Sequence, residues 1–217
     1  MRFFKKYVRP WLPKEIDRHQ MTLRFLSGGH WNHGIDVGGR RSVLLDKLAV
    51  DRKYILDFHN AADPKFSGDT LYHNLEHGLP KPEGTGGWDL VIANDVIEHV
   101  ENKQRLVDDI FGNCRGDVVI SLPNTQHFIY LKGLFRGGMS KQFVFDVEDG
   151  MDRHRWITYY DDNKAWLNRK AAEHGFDLVD YDEGWRTDGA LHLLLLFLRD
   201  RRKYFVFNQV FHFRKRG

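Results

Sequence analysis

From residue 34 onward, short apolar runs alternate with segments of helical periodicity, and this alternation constrains the 217-residue chain more than any other feature. Residues 34–37, 53–57, 70–73, 89–93, 117–122, 176–181 and 206–214 read as strands. Residues 14–27, 42–50, 96–111, 161–174 and 190–202 read as helices, although the apolar run 191–198 is short enough to be a strand instead. Such an order predicts an α/β domain whose parallel strands are joined by right-handed crossovers. In open sheets of this kind a ligand sits beyond the carboxyl ends of the strands. The residues that end the first five strands are therefore the ones to inspect. Residues 124–158 read as a long irregular stretch, and loops of that length in a compact domain usually carry function.

Composition narrows the setting. Hydrophobic residues make up 41% and charged residues 29%, as in a globular protein with one core. The single cysteine, Cys114, excludes an internal disulfide framework and a cysteine-rich zinc site, and fits a reducing cytoplasm. The opening residues 1–7 lack the apolar run of a secretory signal. The longest greasy stretch, 190–198, is about half of what a spanning helix needs, so no membrane crossing is expected. Residues 1–18 carry a charge of +4 and residues 199–217 carry +6, which leaves −7 for the middle of a chain whose total is +3. Both basic ends are interleaved with aromatics such as Phe3, Trp11, Tyr204 and Phe207. The simpler reading is solvated ends; the sharper one is a patch for lipid headgroups or a phosphorylated substrate.

Each strand end offers a different chemistry. The first runs through Asp36 into Gly38-Gly39, where glycine lets the backbone approach a ligand closely. A helix start just beyond it would present free N–H groups. Asp57, twenty-one residues after Asp36, ends the second strand, where an acid can accept both hydroxyls of a ribose. The third strand leads to Asn74-Leu75, and an Asn amide can pair with an adenine edge. The fourth ends in Asn94-Asp95 and leads directly into Val96-Ile97-Glu98-His99-Val100. Taken singly, each also has an ordinary reading as a βα turn, a helix cap or a surface acid.

In order and spacing, the pieces Ile35–Gly39, Ile55–Asp57, Asn74–Pro80 and Asp89–Val100 resemble the class I S-adenosylmethionine-dependent methyltransferases. The resemblance is to the type 12 group and the W-type proteins of methionine biosynthesis. It continues through Ser121–Asn124, His127, Arg136–Met139 and Asp152–Thr158, and covers roughly residues 34–181. It implies a Rossmann-like, doubly wound, seven-stranded sheet, mostly parallel with an antiparallel last strand. It implies one domain over 1–217, with a helical extension over 1–30, a substrate-side insertion over 124–158 and a basic strand and tail over 199–217. S-adenosylmethionine is the implied cofactor. Asp36, Gly38 and Gly39 would flank its methionine part, Asp57 its ribose, Asn74 and Leu75 its adenine, and Asn94 and Asp95 the side near the sulfonium. Two departures stand out: Arg40 and Ser42 replace common glycines of the first turn, and Asn74 replaces the commoner aspartate.

If the acceptor is a hydroxyl, a base helps to remove its proton. His127, His154 and Tyr159 are candidates, with His127 and His154 in front and a structural role the rival reading for each histidine. His154 also sits among Asp152, Arg153, Arg155 and Trp156, a cluster suited to an anionic substrate, and His99 reads as a residue shaping the pocket. Among twelve histidines, the pairs His30/His33, Asp57/His59 and His73/His77 have no clear third ligand nearby, so no metal is expected. The expected partner is a small-molecule, glycan or lipid-linked acceptor taking the methyl on O or N, without nucleic acid, with an anionic membrane surface possible for the basic ends. The competing function is a non-catalytic partner of a biosynthetic enzyme. A nicotinamide-dependent reductase is disfavoured, since the first turn lacks G-x-G-x-x-G.

Overall fold

The computed structural model describes residues 17–39, 42–57, 65–82, 84–138, 153–186 and 202–217. All but the last residue of the sequence-predicted helix over 190–202, most of the basic N-terminal extension and Arg40 lie outside these residues. Seven strands form one sheet: β1 (His30–Val37), β2 (Ala49–Asp57), β3 (Asp69–Tyr72), β4 (Trp88–Asn94), β5 (Cys114–Pro123), β6 (Phe176–Trp185) and β7 (Val206–Lys215). Their order is β3-β2-β1-β4-β5-β7-β6. The first five pair in parallel, and β7 lies antiparallel between β5 and β6. The expected seven-stranded sheet with an antiparallel last strand is therefore present.

Both faces of the central strands are buried, and the strands alternate between them with a period of two. On one face Ile35, Val91, Ala93, Val118, Ile120, Phe211 and Phe213 pack with residues of α2 (Lys103–Gly112) and α4 (Tyr160–Glu173). On the other, Leu90, Ile92, Val119 and Val210 pack with Met21 of α1 (Arg18–Phe25), Leu26, Trp31, Leu44 and Leu45. Helix α4 opens with Asp161 and Asp162 in its first turn, where acids favour the helix dipole, and Gly175 follows its C-cap with φ +73°.

One predicted helix is not formed and another begins late, each for a tertiary reason. The segment 42–50 makes only a 3-10 turn over Leu45–Lys47. β1 begins at His30, four residues earlier than its apolar run implied, and recruits Ala49–Arg52 as its partner. Only residues 38–48 remain for the crossover. Its end is pinned by Asp46, which bonds Lys53 Nζ at 3.0 Å and the Ser67 amide at 3.2 Å. The helix read over 96–111 is instead a 3-10 turn, Ile97–His99, an extended Val100, and then α2. Carbonyls that would bond the following helical turn are taken by another segment. The Arg155 amide donates to Glu98 O (2.8 Å), Arg155 Nε to His99 O (2.8 Å) and Trp156 Nε1 to Val100 O (2.8 Å). The amides of Glu101 and Asn102 are held by the Glu76 carboxylate.

The stretch 124–158 is less irregular than expected, since it contains α3 (Phe128–Phe135). At the C-terminus, Arg214 bonds Asp117, Arg216 bonds Asp177, and Lys215 donates to His174 O. Those three cations of the basic tail have intramolecular partners. No helix among the described residues is long and apolar enough to cross a membrane.

The aromatic centre of the larger core offers a stability test. Phe111 is fully buried, 5.2 Å from Phe176 and 5.3 Å from Phe213 between ring centroids. Phe111→Ala should cost about 3–5 kcal/mol in urea denaturation. Phe135→Ala, at a ring 88% exposed, should stay within about 0.5 kcal/mol of the parent. Similar losses for both would contradict this placement of the core.

Candidate cofactor and acceptor site

The parallel register sets the strand ends side by side. Asp36 pairs with Ile55 of β2 and Ile92 of β4, Val37 pairs with Leu56, and Asn94 pairs with Ser121 of β5. The turn after β1 is tied to the tip of β2 by the Gly38 amide, which donates to Leu56 O at 2.8 Å. Half-buried Asp57 is the next residue, at the tip of β2 beside that bend.

This bend requires its glycines. Gly38 has φ +70°, and a Cβ there would stand 2.7 Å from a Val96 methyl carbon. A Cβ on Gly39 would stand 2.6 Å from Asp36 Cγ. The Asp36 carboxylate is buried and accepts from the Ser42 hydroxyl. Burial pushes its pKa up to about 6, against the opposing pull of the Ser42 bond and the Arg18 charge. Ser42 Oγ also accepts from the Leu44 amide (3.1 Å), so the serine that departs from the glycine pattern organises the turn.

Asn74 caps the 3-10 turn Leu75–His77, its side-chain oxygen accepting from the Glu76 amide at 3.0 Å. Leu75 packs against the core below. At the tip of β4, Asn94 Nδ2 donates to Thr22 Oγ1 (3.3 Å), while its Oδ1 is buried with no hydrogen-bond partner among the described residues. Asp95 has φ +53°, the only left-handed non-glycine backbone among them. Its carboxylate is held by the Ser121 hydroxyl (2.6 Å) and by Arg18 Nη1 (3.1 Å). Arg18 reaches this tip from α1, 77 residues earlier in the chain, a link that no local sequence pattern carries.

The histidines divide. His127 is fully buried and caps α3: its Nδ1 accepts from the Ile129 amide (3.3 Å), and its Nε2 lies 3.2 Å from Arg186 O. Accepting at one ring nitrogen and donating at the other fixes its tautomer and leaves no lone pair for a proton, so the geometry gives it a structural part in place of the expected base. His154 lies beside His99 with ring centroids 4.6 Å apart, and next to buried Glu98. Burial, reinforced by the Asp95 charge, pushes the Glu98 carboxyl up to about 8. Glu98 lies within the motif Asp95–Val100, whose spacing alone assigns it no role. No spacing rule links positions 98 and 99 to 154.

Glu98 also lines a cavity of about 260 Å³ with Lys103, Trp156, Tyr159, Asp162 and Trp166. The Lys103 ammonium sits 3.7 Å from the Trp156 ring centroid, and burial lowers its pKa. The wall over 156–158 belongs to the stretch expected on the substrate side. His73 and His77 lie with ring centroids 6.4 Å apart, and His59 is outside the described residues.

No protein-family model matches the sequence, and no curated protein matches it significantly. Solved structures do. The methyltransferase domain of a bacterial Hen1 protein superposes with TM-score 0.58 at 16% identity, covering 91% of this chain and 97% of that one. The chain has the class I methyltransferase fold. The N-methyltransferase NodS of Bradyrhizobium japonicum, solved with S-adenosylhomocysteine, gives TM-score 0.56 at 13% identity over 92% of this chain and 86% of its own. The magnesium protoporphyrin IX methyltransferase of Synechocystis, also solved with S-adenosylhomocysteine, gives 0.54 at 12% over 99% and 97%. In this methyltransferase fold the tips of β1, β2 and β4 bear the residues just described.

The raised pKa of Asp36 gives a pH prediction with a definite sign. The folded state binds this proton more tightly than the unfolded one. Its stability therefore falls as pH rises from the unfolded value of 3.8 to about 6, a contribution of at most roughly 3 kcal/mol. Asp36→Asn should gain in melting temperature relative to the parent between about pH 4 and about pH 7. A difference that stays constant over that range would refute the assignment.

Proposed function

We propose that this chain is an S-adenosylmethionine-dependent methyltransferase that delivers a methyl group to an O or N atom of a small-molecule, glycan or lipid-linked acceptor. The supporting observation is the bend at Gly38-Gly39, closed to any Cβ and bonded to the tip of β2 beside Asp57. The order of motifs from residue 34 to 181 supports the type 12 group within the fold.

The bend fits the amino-acid end of the cofactor because bare backbone can approach it and Asp36 lies directly beneath. Asp57 would accept hydrogen bonds from the ribose hydroxyls, and Asn74 and Leu75 would flank the adenine. Asn94 Oδ1, which has no hydrogen-bond partner among the described residues, is a polar atom that a bound ligand would satisfy. When bound, the cofactor supplies a sulfonium methyl that is already activated, so the chain's task is to bind, orient and exclude water. Arg18 and Ser121 hold Asp95 in its strained turn and so fix the direction in which the chain leaves β4. Trp156, Trp166 and Lys103 wall the adjoining cavity, where an acceptor with a flat or anionic part would lie.

Isothermal calorimetry with S-adenosylhomocysteine tests this reading. Binding is expected in the micromolar range, weakened about tenfold or more by Asp57→Ala, as for lost hydrogen bonds to a charged group. Neither heat nor thermal protection from the parent chain would sink the enzyme reading and favour a non-catalytic partner protein.

A further inference from the structure

We infer that Glu98, His99 and His154 form a binding site for one first-row divalent transition-metal ion at the acceptor side of the proposed methyl-transfer centre. One carboxylate oxygen and one nitrogen from each imidazole lie within 4.8 Å of one another. Glu98 Oε1 and His99 Nε2 are 3.7 Å apart. Two ligands about 2.1 Å from a shared tetrahedral ion stand roughly 3.4 Å apart, so only a small contraction is needed.

Three further features point to an ion rather than a chance cluster. First, Glu98 is 1% exposed, and neither carboxylate oxygen has a hydrogen-bond partner among the described residues. A buried carboxylate without donors is costly, and a cation removes that cost. Its raised proton affinity agrees with such a setting. Second, His99 is oriented as ligating histidines are. Its Nδ1 lies 2.9 Å from Arg153 O and must donate to it, which leaves the Nε2 lone pair facing Glu98. Third, the carbonyl that orients His99 belongs to the residue just before His154. The same loop is clamped to residues 98–100 by the Arg155 and Trp156 bonds. One set of backbone contacts thus brings all three ligands together and holds them.

The donor set identifies the class of ion. Two imidazoles with one carboxylate favour Zn²⁺, Co²⁺, Mn²⁺ or Fe²⁺ over Mg²⁺ or Ca²⁺, which prefer oxygen throughout. Three protein ligands leave positions open, as in catalytic rather than structural sites. Glu98 also borders the 260 Å³ cavity. An open position there would accept an acceptor's hydroxyl oxygen and lower the pKa of its proton. This assigns to an ion the role the sequence had offered to a histidine base, and it rests on the methyltransferase reading only for that role.

The test is titration of chelator-treated full-length protein with CoCl₂ and with ZnCl₂, followed by visible absorption and by melting temperature. The expected result is one Co²⁺ per chain with d–d bands of a four- or five-coordinate site, displaced by Zn²⁺, and a rise in melting temperature. Glu98→Gln and His154→Ala should each weaken binding by more than about tenfold, and His77→Ala should leave it unchanged. Because His154 lies in a partly exposed loop, its replacement by alanine tests the site even if Glu98→Gln fails to fold. Absence of d–d bands at millimolar Co²⁺, or equal affinity in His154→Ala and the parent, would overturn the site. S-adenosylhomocysteine calorimetry on the same samples separates the failures: intact cofactor binding without metal binding removes the ion and leaves the methyltransferase reading standing.

Discussion

The parallel pairing of β1 with β2 on one side and β4 on the other is the constraint on which the rest of the molecule depends. Because both neighbours run the same way, three carboxyl ends meet at one edge, and each carries a polar residue that a packed interior would not tolerate. The pairing is hydrophobic on both faces, with Ile35, Leu90, Val91 and Ile92 fully buried. A one-residue slip of β1 would turn Asp36 from the tip toward the opposite core and carry Gly38 off Leu56 O. The geometry of the bend is thus a consequence of core packing. The bend's own bonds, Gly38 to Leu56 and Ser42 to Asp36, only refine it.

The strands and their polar tips were legible in the sequence because they are local: a run of β-branched residues, then glycine or an acid. Strand ends were read short, since His30, Asn32 and His33 of β1 look like loop residues until β2 is seen beside them. The Asp89 carboxylate accepts from the His33 amide (3.0 Å) and binds Arg115, a polar edge that no hydrophobic pattern predicts. The missing helix over 42–50 and the late start of the one read over 96–111 have the complementary cause. Segments 42–50 and 96–102 have adequate helical patterning, but their backbones are claimed from far along the chain, by β1 in one case and by Arg155 and Trp156 in the other. Tertiary bonds outweigh a propensity worth a few tenths of a kcal/mol per residue.

The same long-range bonds explain what was illegible at the site. Glu98 and His99 adjoin in sequence but could not both point inward from a regular α-helix, where neighbours are about a quarter-turn apart or more. The 3-10 turn and the extended Val100 that follow from the Arg155 clamp allow it. His154 is brought to them by that clamp and by nothing in its own segment. Histidine pairs at metal-like spacing, such as His73 and His77, were visible in the sequence, yet among the described residues they gather no third ligand. His127, by contrast, looked catalytic because it follows a strand end. Its ring is consumed in starting α3 and in bonding the backbone near Arg186.

Asp95 links the two halves of the site. A left-handed aspartate costs about 1 kcal/mol or more and persists only where its surroundings over-determine it. Here the amide continues the β4–β5 ladder to Ser121 O (3.2 Å), the carboxylate takes the Ser121 hydroxyl, and Arg18 closes the other oxygen. Had the chain continued in an extended conformation, Glu98 would have been carried away from the sheet. The left-handed step turns it back, so that Glu98 is buried 3 residues later against the loop bearing His154. The strain therefore separates two environments along one short segment: a carboxylate at position 95 paired with an arginine, and a buried carboxylate at position 98 that has no hydrogen-bond donor among the described residues.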